Sequence, residues 1–224
     1  MMHSMRRFKR LIVTQFEKTF NLLIKPWCIA GFAALLILTY HFIDKPVAIY
    51  FHRMDIRGYV HGLSILTMFG KWAIYVILFL ISGLFYRYVS KNATKEACSF
   101  FLMSCVLVSN IIGAVLKITV SRARPELLFK NDLFGFYWFK LNDLYWSFPS
   151  GHSITVSALA AGLGIVFPQY FYAILGLAFL VIMSRVLLYF HYLSDVMAGF
   201  YFALIVVGVL ARYLKQYDYF KKII

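Results

Sequence analysis

Long apolar runs separated by short polar breaks dominate this chain. They cover about Trp27 to Phe42, Trp72 to Val89, Ala97 to Lys117, Ser150 to just before Pro168, Phe171 to Tyr189, and Leu193 to Leu214. Each approaches the length that crosses a bilayer as a helix, and in lipid only a helix or a closed barrel satisfies its own backbone polar groups. The pattern therefore predicts an all-α, polytopic membrane helix bundle of about six transmembrane helices. The first run ends before Asp44, Lys45 and Pro46. The stretch from there to about Gly70 carries His52, Arg53, Asp55, Arg57 and His61, is too polar to cross lipid, and is expected to lie at the surface. Ahead of the first run, Phe8, Leu11, Ile12, Phe16, Phe20 and Leu23 recur at helical spacing with Lys9, Arg10 and Lys18 between them. That spacing predicts an amphipathic interfacial helix. Two regions follow: a basic N-terminal segment, residues 1–25, and a single membrane domain, residues 26–224.

Composition narrows the class. The 224 residues are 62% hydrophobic and 14% charged, against about half and about a quarter in soluble domains. Six spans of this length leave no room for a separate soluble domain. A formal net charge of +14 raises the question of nucleic acid, but the basic residues flank apolar runs and form no contiguous stripe, so no nucleic-acid partner is expected. Cys28, Cys98 and Cys105 all sit inside apolar runs without metal-knuckle or redox spacing. The basic start lacks an uninterrupted apolar core with a small-residue cleavage site, so the first run reads as a retained span. No internal repeat or low-complexity segment is visible.

Orientation follows from the positive-inside rule. With the N-terminus in the cytoplasm, the inner segments carry thirteen Lys and Arg residues and the outer ones ten. The N-terminal cluster of Arg6, Arg7, Lys9 and Arg10 has most influence. Both termini are thus expected on the cytoplasmic side.

Three groups of ionisable residues then fall at span ends on the opposite, outer side. In the first, Lys117 and Arg124 are two helical turns apart and share a face if the helix continues; Pro125 disfavours helix at Arg124. Two permanent cations there suit an anion with several oxygens, and Arg binds phosphate bidentately; the bland alternative is snorkelling to the interface. In the second, Phe148-Pro149-Ser150-Gly151-His152 precedes an apolar run. Ser150 is a candidate N-cap, Gly151 leaves the backbone open, and the free amides of a starting helix attract an anion beside His152. In the third, Ser184-Arg185 is followed by His191 and Asp195. The last two are i,i+4, so a helical geometry would let the carboxylate fix the imidazole tautomer and free the other nitrogen as nucleophile or base.

In order and spacing these groups resemble the three-part signature of the type-2 phosphatidic acid phosphatase family: Lys-x6-Arg-Pro, Pro-Ser-Gly-His, and Ser-Arg-x5-His-x3-Asp. Every position is filled between Lys117 and Asp195. The resemblance implies an integral membrane lipid phosphatase with no metal and no cofactor. It assigns His191 as the nucleophile that forms a phosphohistidine, Asp195 as its orienting partner, and His152 as general acid. Lys117, Arg124, Ser150, Gly151 and Arg185 would bind the phosphate oxygens. Arg122 lies outside the signature and is expected to support the site or meet the interface.

The implied substrates are phosphatidic acid, phosphatidylglycerol phosphate, undecaprenyl pyrophosphate or a lipid A phosphate, in a cell inner membrane with the site facing the periplasm or exterior. A phosphotransferase of the same family would share every residue. A transporter or channel would place its ionisable groups near mid-membrane instead. Between Ser121 and Phe148 lie nine aromatic residues, among them Trp138 and Trp146, expected as an interfacial belt or as a gate admitting a lipid headgroup from the side.

Overall fold

The computed structural model describes residues 16–59, 61–221 and 223. The N-terminal basic cluster and residues Phe8, Leu11 and Ile12 of the expected amphipathic helix lie outside these. Within the described residues the secondary structure is helical apart from one isolated bridge between Arg122 and Phe136.

Helix α1 (residues 16–23) leads into α2 (Pro26–Leu38). Five residues of π-helix, Thr39–Ile43, connect α2 directly to α3 (Asp44–Arg53). Short helices α4 (Ile56–Tyr59) and α5 (His61–Met68) follow, then α6 (Trp72–Tyr88) and α7 (Ala93–Val120). The long loop holds α8 (Pro125–Asn131), and the C-terminal half contributes α9 (Gly151–Val166), α10 (Phe171–Leu187), α11 (Leu193–Leu214) and α12 (Asp218–Lys221). Among the described residues four stretches are long and apolar enough to cross a membrane: Pro26–Arg53, Ala93–Val120, Pro168–Leu187 and Leu193–Leu214. Two further apolar helices, α6 with 17 residues and α9 with 16, are shorter.

The first span does not stop at Phe42 as its charge pattern predicts. The helix itself runs on for a total of 28 residues to Arg53, with Asp44 inside it. Its carboxylate is fully buried against Arg122 and Ser194, so a charge that would have to leave lipid is paired inside the protein. Pro46 sits just beyond the π segment, where the amide of Asp44 reaches back five residues to the Thr39 carbonyl. Such a widened turn relieves the proline ring's clash with the preceding turn.

Helix α9 forms the axis of the bundle, packed on α7, α10 and α11, while α6 packs along α7. Its buried face is mostly small: Ser153, Ser157, Ala158, Ala160, Ala161 and Gly162. Small residues let helices approach closely where no hydrophobic drive separates protein from lipid. On α11, Gly199 meets the start of α9, and a methyl group there would lie 2.8 Å from the Ser150 carbonyl oxygen. Phe16 and Phe20 of α1 pack into the core against Phe171, Leu204, Val207 and Ala211. By contrast α2 buries none of its residues, and Ile74, Ile77, Leu78 and Ile81 of α6 are exposed, an apolar outer surface matched to lipid.

Candidate active site

The α7 helix ends at Val120 because Ser121 turns into the left-handed region, with φ 43°. The side chain of Ser121 fixes this exit: its Oγ accepts the Lys140 amide at 2.8 Å. The chain then runs extended, with the Ala123 amide on the Gly135 carbonyl at 3.0 Å and the Arg124 amide on the Leu144 carbonyl at 2.9 Å. Lys117 and Arg124 therefore do not share a continuous helix face. Lys117 lies in the last turn of α7, and Arg124 comes from the extended strand before Pro125 opens α8. Lys117 Nζ donates to the Trp146 carbonyl at 3.1 Å.

The loop returns through a cis Phe148–Pro149 peptide to α9. Ser150 is its N-cap, with Oγ accepting the Ser153 amide at 3.4 Å, while the Ser150 amide donates to the Asp195 carbonyl at 3.0 Å. Gly151 opens the helix beside Lys117: a methyl group at Gly151 would lie 3.4 Å from Cε and 3.6 Å from Nζ. His152 follows, its ring against the buried backbone of Gly70 in the turn between α5 and α6. That turn had no place in the sequence reading; a lone glycine ahead of an apolar run carries no signal for it.

Arg185 ends α10, and its carbonyl accepts the amides of Phe190 and His191 at 3.0 and 3.3 Å. Arg57 of α4 clamps the same loop, donating from Nε to the Leu188 carbonyl at 2.6 Å and from Nη2 to the Tyr189 carbonyl at 3.0 Å. His191 lies before α11, not within it, so its relation to Asp195 is not helical. The Asp195 carboxylate turns back over the helix start and accepts the Tyr192 amide at 2.9 Å. Nδ1 of His191 is 3.6 Å from Asp195 Oδ2 and 3.4 Å from Ser147 Oγ, and that hydroxyl donates to the same Oδ2 at 2.5 Å. Nε2 has no protein partner among the described residues.

Lys117, Arg124, Ser150, Gly151, His152, Arg185, His191 and Asp195 are thus drawn to one end of the bundle from α7, the long loop, α9, α10 and α11. Among the described residues none of Lys117, Arg124 and Arg185 lies within ion-pair distance of a carboxylate. The Nε atoms of Arg124 and Arg185 are buried without a hydrogen-bond partner. His191 is 3% exposed. Burial first, and then the positive charges of Arg124, Arg185 and Lys117, hold its pKa well below the usual imidazole range, so the ring is neutral at physiological pH. Unpaired cations around a neutral imidazole suit the binding of an anion.

The sequence reading missed Asp44, Ser147 and Ser194, and it left Arg122 at the margin. Arg122 is fully buried, donating to Asp195 Oδ1 at 2.5 Å and to Asp44 Oδ2 at 2.7 Å. The only available signals were a charge ending an apolar run and an arginine two residues before Arg124, and neither names its partner.

The family model of the PAP2 superfamily matches residues 97–218. A lipid A 1-phosphatase from Rhizobium johnstonii is 33% identical over 166 residues, 68% of this chain and 68% of that protein. A lipid A 1-phosphatase from Rhizobium etli is 33% identical over 163 residues, 66% of this chain and 70% of the relative. The crystal structure of a transmembrane PAP2-type phosphatidylglycerolphosphate phosphatase from Bacillus subtilis aligns with 94% of this chain and 97% of its own, at 16% identity and a TM-score of 0.46. With its signature intact and more than half its length matched, this membrane protein belongs to the PAP2 superfamily.

Proposed function

We propose that this membrane lipid phosphatase hydrolyses the phosphate of an envelope glycolipid, at the 1-position of lipid A or its close chemical equivalent, through a phosphohistidine. The observation that carries the chemistry is the ring of unpaired cations, Lys117, Arg124 and Arg185, around the neutral His191. The choice of lipid rests on the two relatives that are lipid A 1-phosphatases.

The phosphate sits between the cations and the first amides of α9, where helix N-terminus and guanidinium groups hold its non-bridging oxygens. Nε2 of His191 attacks phosphorus in line with the departing sugar oxygen. The N–P bond forms as the P–O bond breaks, and His152 gives its proton to the leaving oxygen. Nδ1–H of the resulting phosphoimidazolium faces Asp195 and Ser147, and their present separation of 3.4–3.6 Å shortens as positive charge develops, as is common for catalytic hydrogen bonds measured without substrate. Water, losing its proton to His152, then attacks phosphorus and returns His191 to its neutral form. The fixed cations supply the charge neutralisation that such a transition state requires, so the reaction needs no metal. Both chain termini lie on the cytoplasmic side, and the site faces the periplasm.

Phosphate release by detergent-purified protein from lipid A 1-phosphate, phosphatidic acid, phosphatidylglycerol phosphate and undecaprenyl pyrophosphate, with and without EDTA, tests this reading. Release is expected to be fastest from lipid A, to survive EDTA, and to vanish in His191→Ala. Full activity in His191→Ala refutes the nucleophile, loss in EDTA alone refutes metal independence, and a faster lipid replaces the substrate.

A further inference from the structure

Arg122 is two residues from Arg124 but occupies a different environment. Tyr40, Phe134 and Tyr192 surround its guanidinium, with ring centroids 4.9, 5.3 and 4.3 Å from Cζ. It is 0% exposed, and both its terminal nitrogens are taken up by protein acceptors. Its Nη1 donates to Asp195 Oδ1 at 2.5 Å and Ser194 Oγ at 2.7 Å, and Nη2 donates to Asp44 Oδ2 at 2.7 Å. Asp44 in turn accepts the Ser194 amide at 3.0 Å on Oδ1 and the Ser194 hydroxyl on Oδ2. The start of α3 is therefore tied through Arg122 to the start of α11.

Two consequences follow from this arrangement. The first is geometric. Arg122 holds Oδ1 of Asp195, while Ser147 Oγ at 2.5 Å and the Tyr192 amide at 2.9 Å hold Oδ2. Donors on both oxygens fix the carboxylate plane and leave the Oδ2 edge turned to His191 Nδ1. The second is electrostatic. An Asp195–Arg122 pair alone is neutral and gives little to an imidazolium. Adding Asp44 sets two carboxylates against one guanidinium, a formal excess of one negative charge that is screened less than it would be in water. Buried ion pairs are poor sources of stability, since desolvation offsets their attraction; a triad with one unbalanced negative charge aimed at the reacting histidine has a use beyond the fold.

We infer that Arg122 and Asp44 are positioning residues for the phosphoryl-transfer step: held by Asp44, Arg122 fixes the Asp195 carboxylate that stabilises positive charge on His191. The inference rests on His191 being the nucleophile.

The test uses the full chain in detergent, with phosphate release from lipid A 1-phosphate as one readout and affinity for inorganic phosphate as the other. Arg122→Gln is expected to lower kcat on the order of 10–100-fold, the usual cost of losing a partner that orients a reacting group, while KM and phosphate affinity stay within about twofold, since the cations that touch phosphate are intact. Arg122→Lys, which keeps the charge but not the fork, should recover part of the loss. Arg185→Gln provides the contrast, losing phosphate affinity and kcat together. Should Arg122→Gln fail to yield a monodisperse protein, Asp44→Asn, of equal size, carries the same expectation on both readouts.

Wild-type kcat in a folded variant overturns the inference, as does a parallel loss of phosphate affinity. His191→Ala separates this from the underlying reading. If His191→Ala is inactive and Arg122→Gln matches wild type, only the positioning role fails; if His191→Ala is active, the nucleophile itself is wrong.

Discussion

Adding a single methyl group at Gly70 isolates the part played by His152. A Cβ built there would lie 2.2 Å from Cδ2, 2.5 Å from Cγ and 2.7 Å from Cβ of His152. Carbon atoms in contact prefer about 3.5–4.0 Å, so the ring or the turn must give way by roughly 1 Å or more. Rotating the ring cannot relieve the contact with His152 Cβ, and the turn is pinned by hydrogen bonds from the Gly70 amide to Thr67 and from Tyr75 Oη to the Phe69 carbonyl, at 3.0 and 2.6 Å, so His152 is displaced together with its attachment to α9. A misplacement of about 1 Å costs on the order of 10²-fold in rate. The loss in Gly70→Ala should depend on the leaving group. On the proposed mechanism, in single-turnover phosphoenzyme formation, a sugar or alkyl leaving group needs a proton from His152 and should slow by about that factor. An aryl phosphate with an acidic phenol needs none and should slow by less than about tenfold. Thermal melting of the variant in detergent checks that the bundle is intact. Equal losses with both leaving groups, in folded protein, refute the assignment of His152 as general acid; no loss with either refutes the contact itself.

Two further outcomes follow from the same structure. Arg124→Gln and Arg185→Gln should each cost on the order of 10²–10³-fold in phosphate release, the usual loss for one donor aimed at developing oxyanion charge, and the corresponding Lys variants should recover only part because the two-pronged fork is lost; retention of wild-type rate in either refutes its place in the anion site. The pH dependence of stability has a definite sign. His191 is held well below the usual imidazole range by burial and by Arg124, Arg185 and Lys117, so below about pH 6.5 the unfolded chain takes a proton that the folded one refuses. The melting temperature should therefore fall as pH drops from 7.5 to 5.5, and His191→Gln should flatten part of that fall; an unchanged slope in the variant refutes the shift.

How far the site could be read from the sequence depended on the range of the interaction. Lys117, Ser150, Gly151, His152, Arg185, His191 and Asp195 stand out as candidates because each group is local, and spacing within a few residues carries the information. Where tertiary packing overrides local geometry, spacing misleads. Lys117 and Arg124 are two turns apart on paper, yet Ser121 ends the helix between them. His191 and Asp195 are four apart, yet the helix begins at Leu193, so the carboxylate meets the imidazole across a capping turn with Ser147 between them. The first span shows the same limit in reverse. A carboxylate at the end of an apolar run predicts the end of a helix only if it faces water, and the partner that keeps Asp44 inside is Arg122, 78 residues away.

The charges of the two halves of the site complement one another. On the substrate side Lys117, Arg124 and Arg185 stand without carboxylate partners; on the far side of His191, Asp44 and Asp195 share one guanidinium. The imidazole therefore lies between a positive chamber and a negative support. On the proposed mechanism the chamber alone would repel the imidazolium formed when Nε2 bonds to phosphorus; burial first, and then the field of these cations, holds His191 unprotonated before substrate arrives. A phosphate dianion reverses that balance. Once it neutralises the chamber, the negative support no longer has an opposing field, and positive charge on His191 becomes favourable at the moment the N–P bond forms. The phosphate is then both the group attacked and the ion that makes the attack possible. On the proposed mechanism a neutral ester of similar shape would not trigger that reversal, so discrimination against uncharged esters would arise in the bond-forming step as well as in binding.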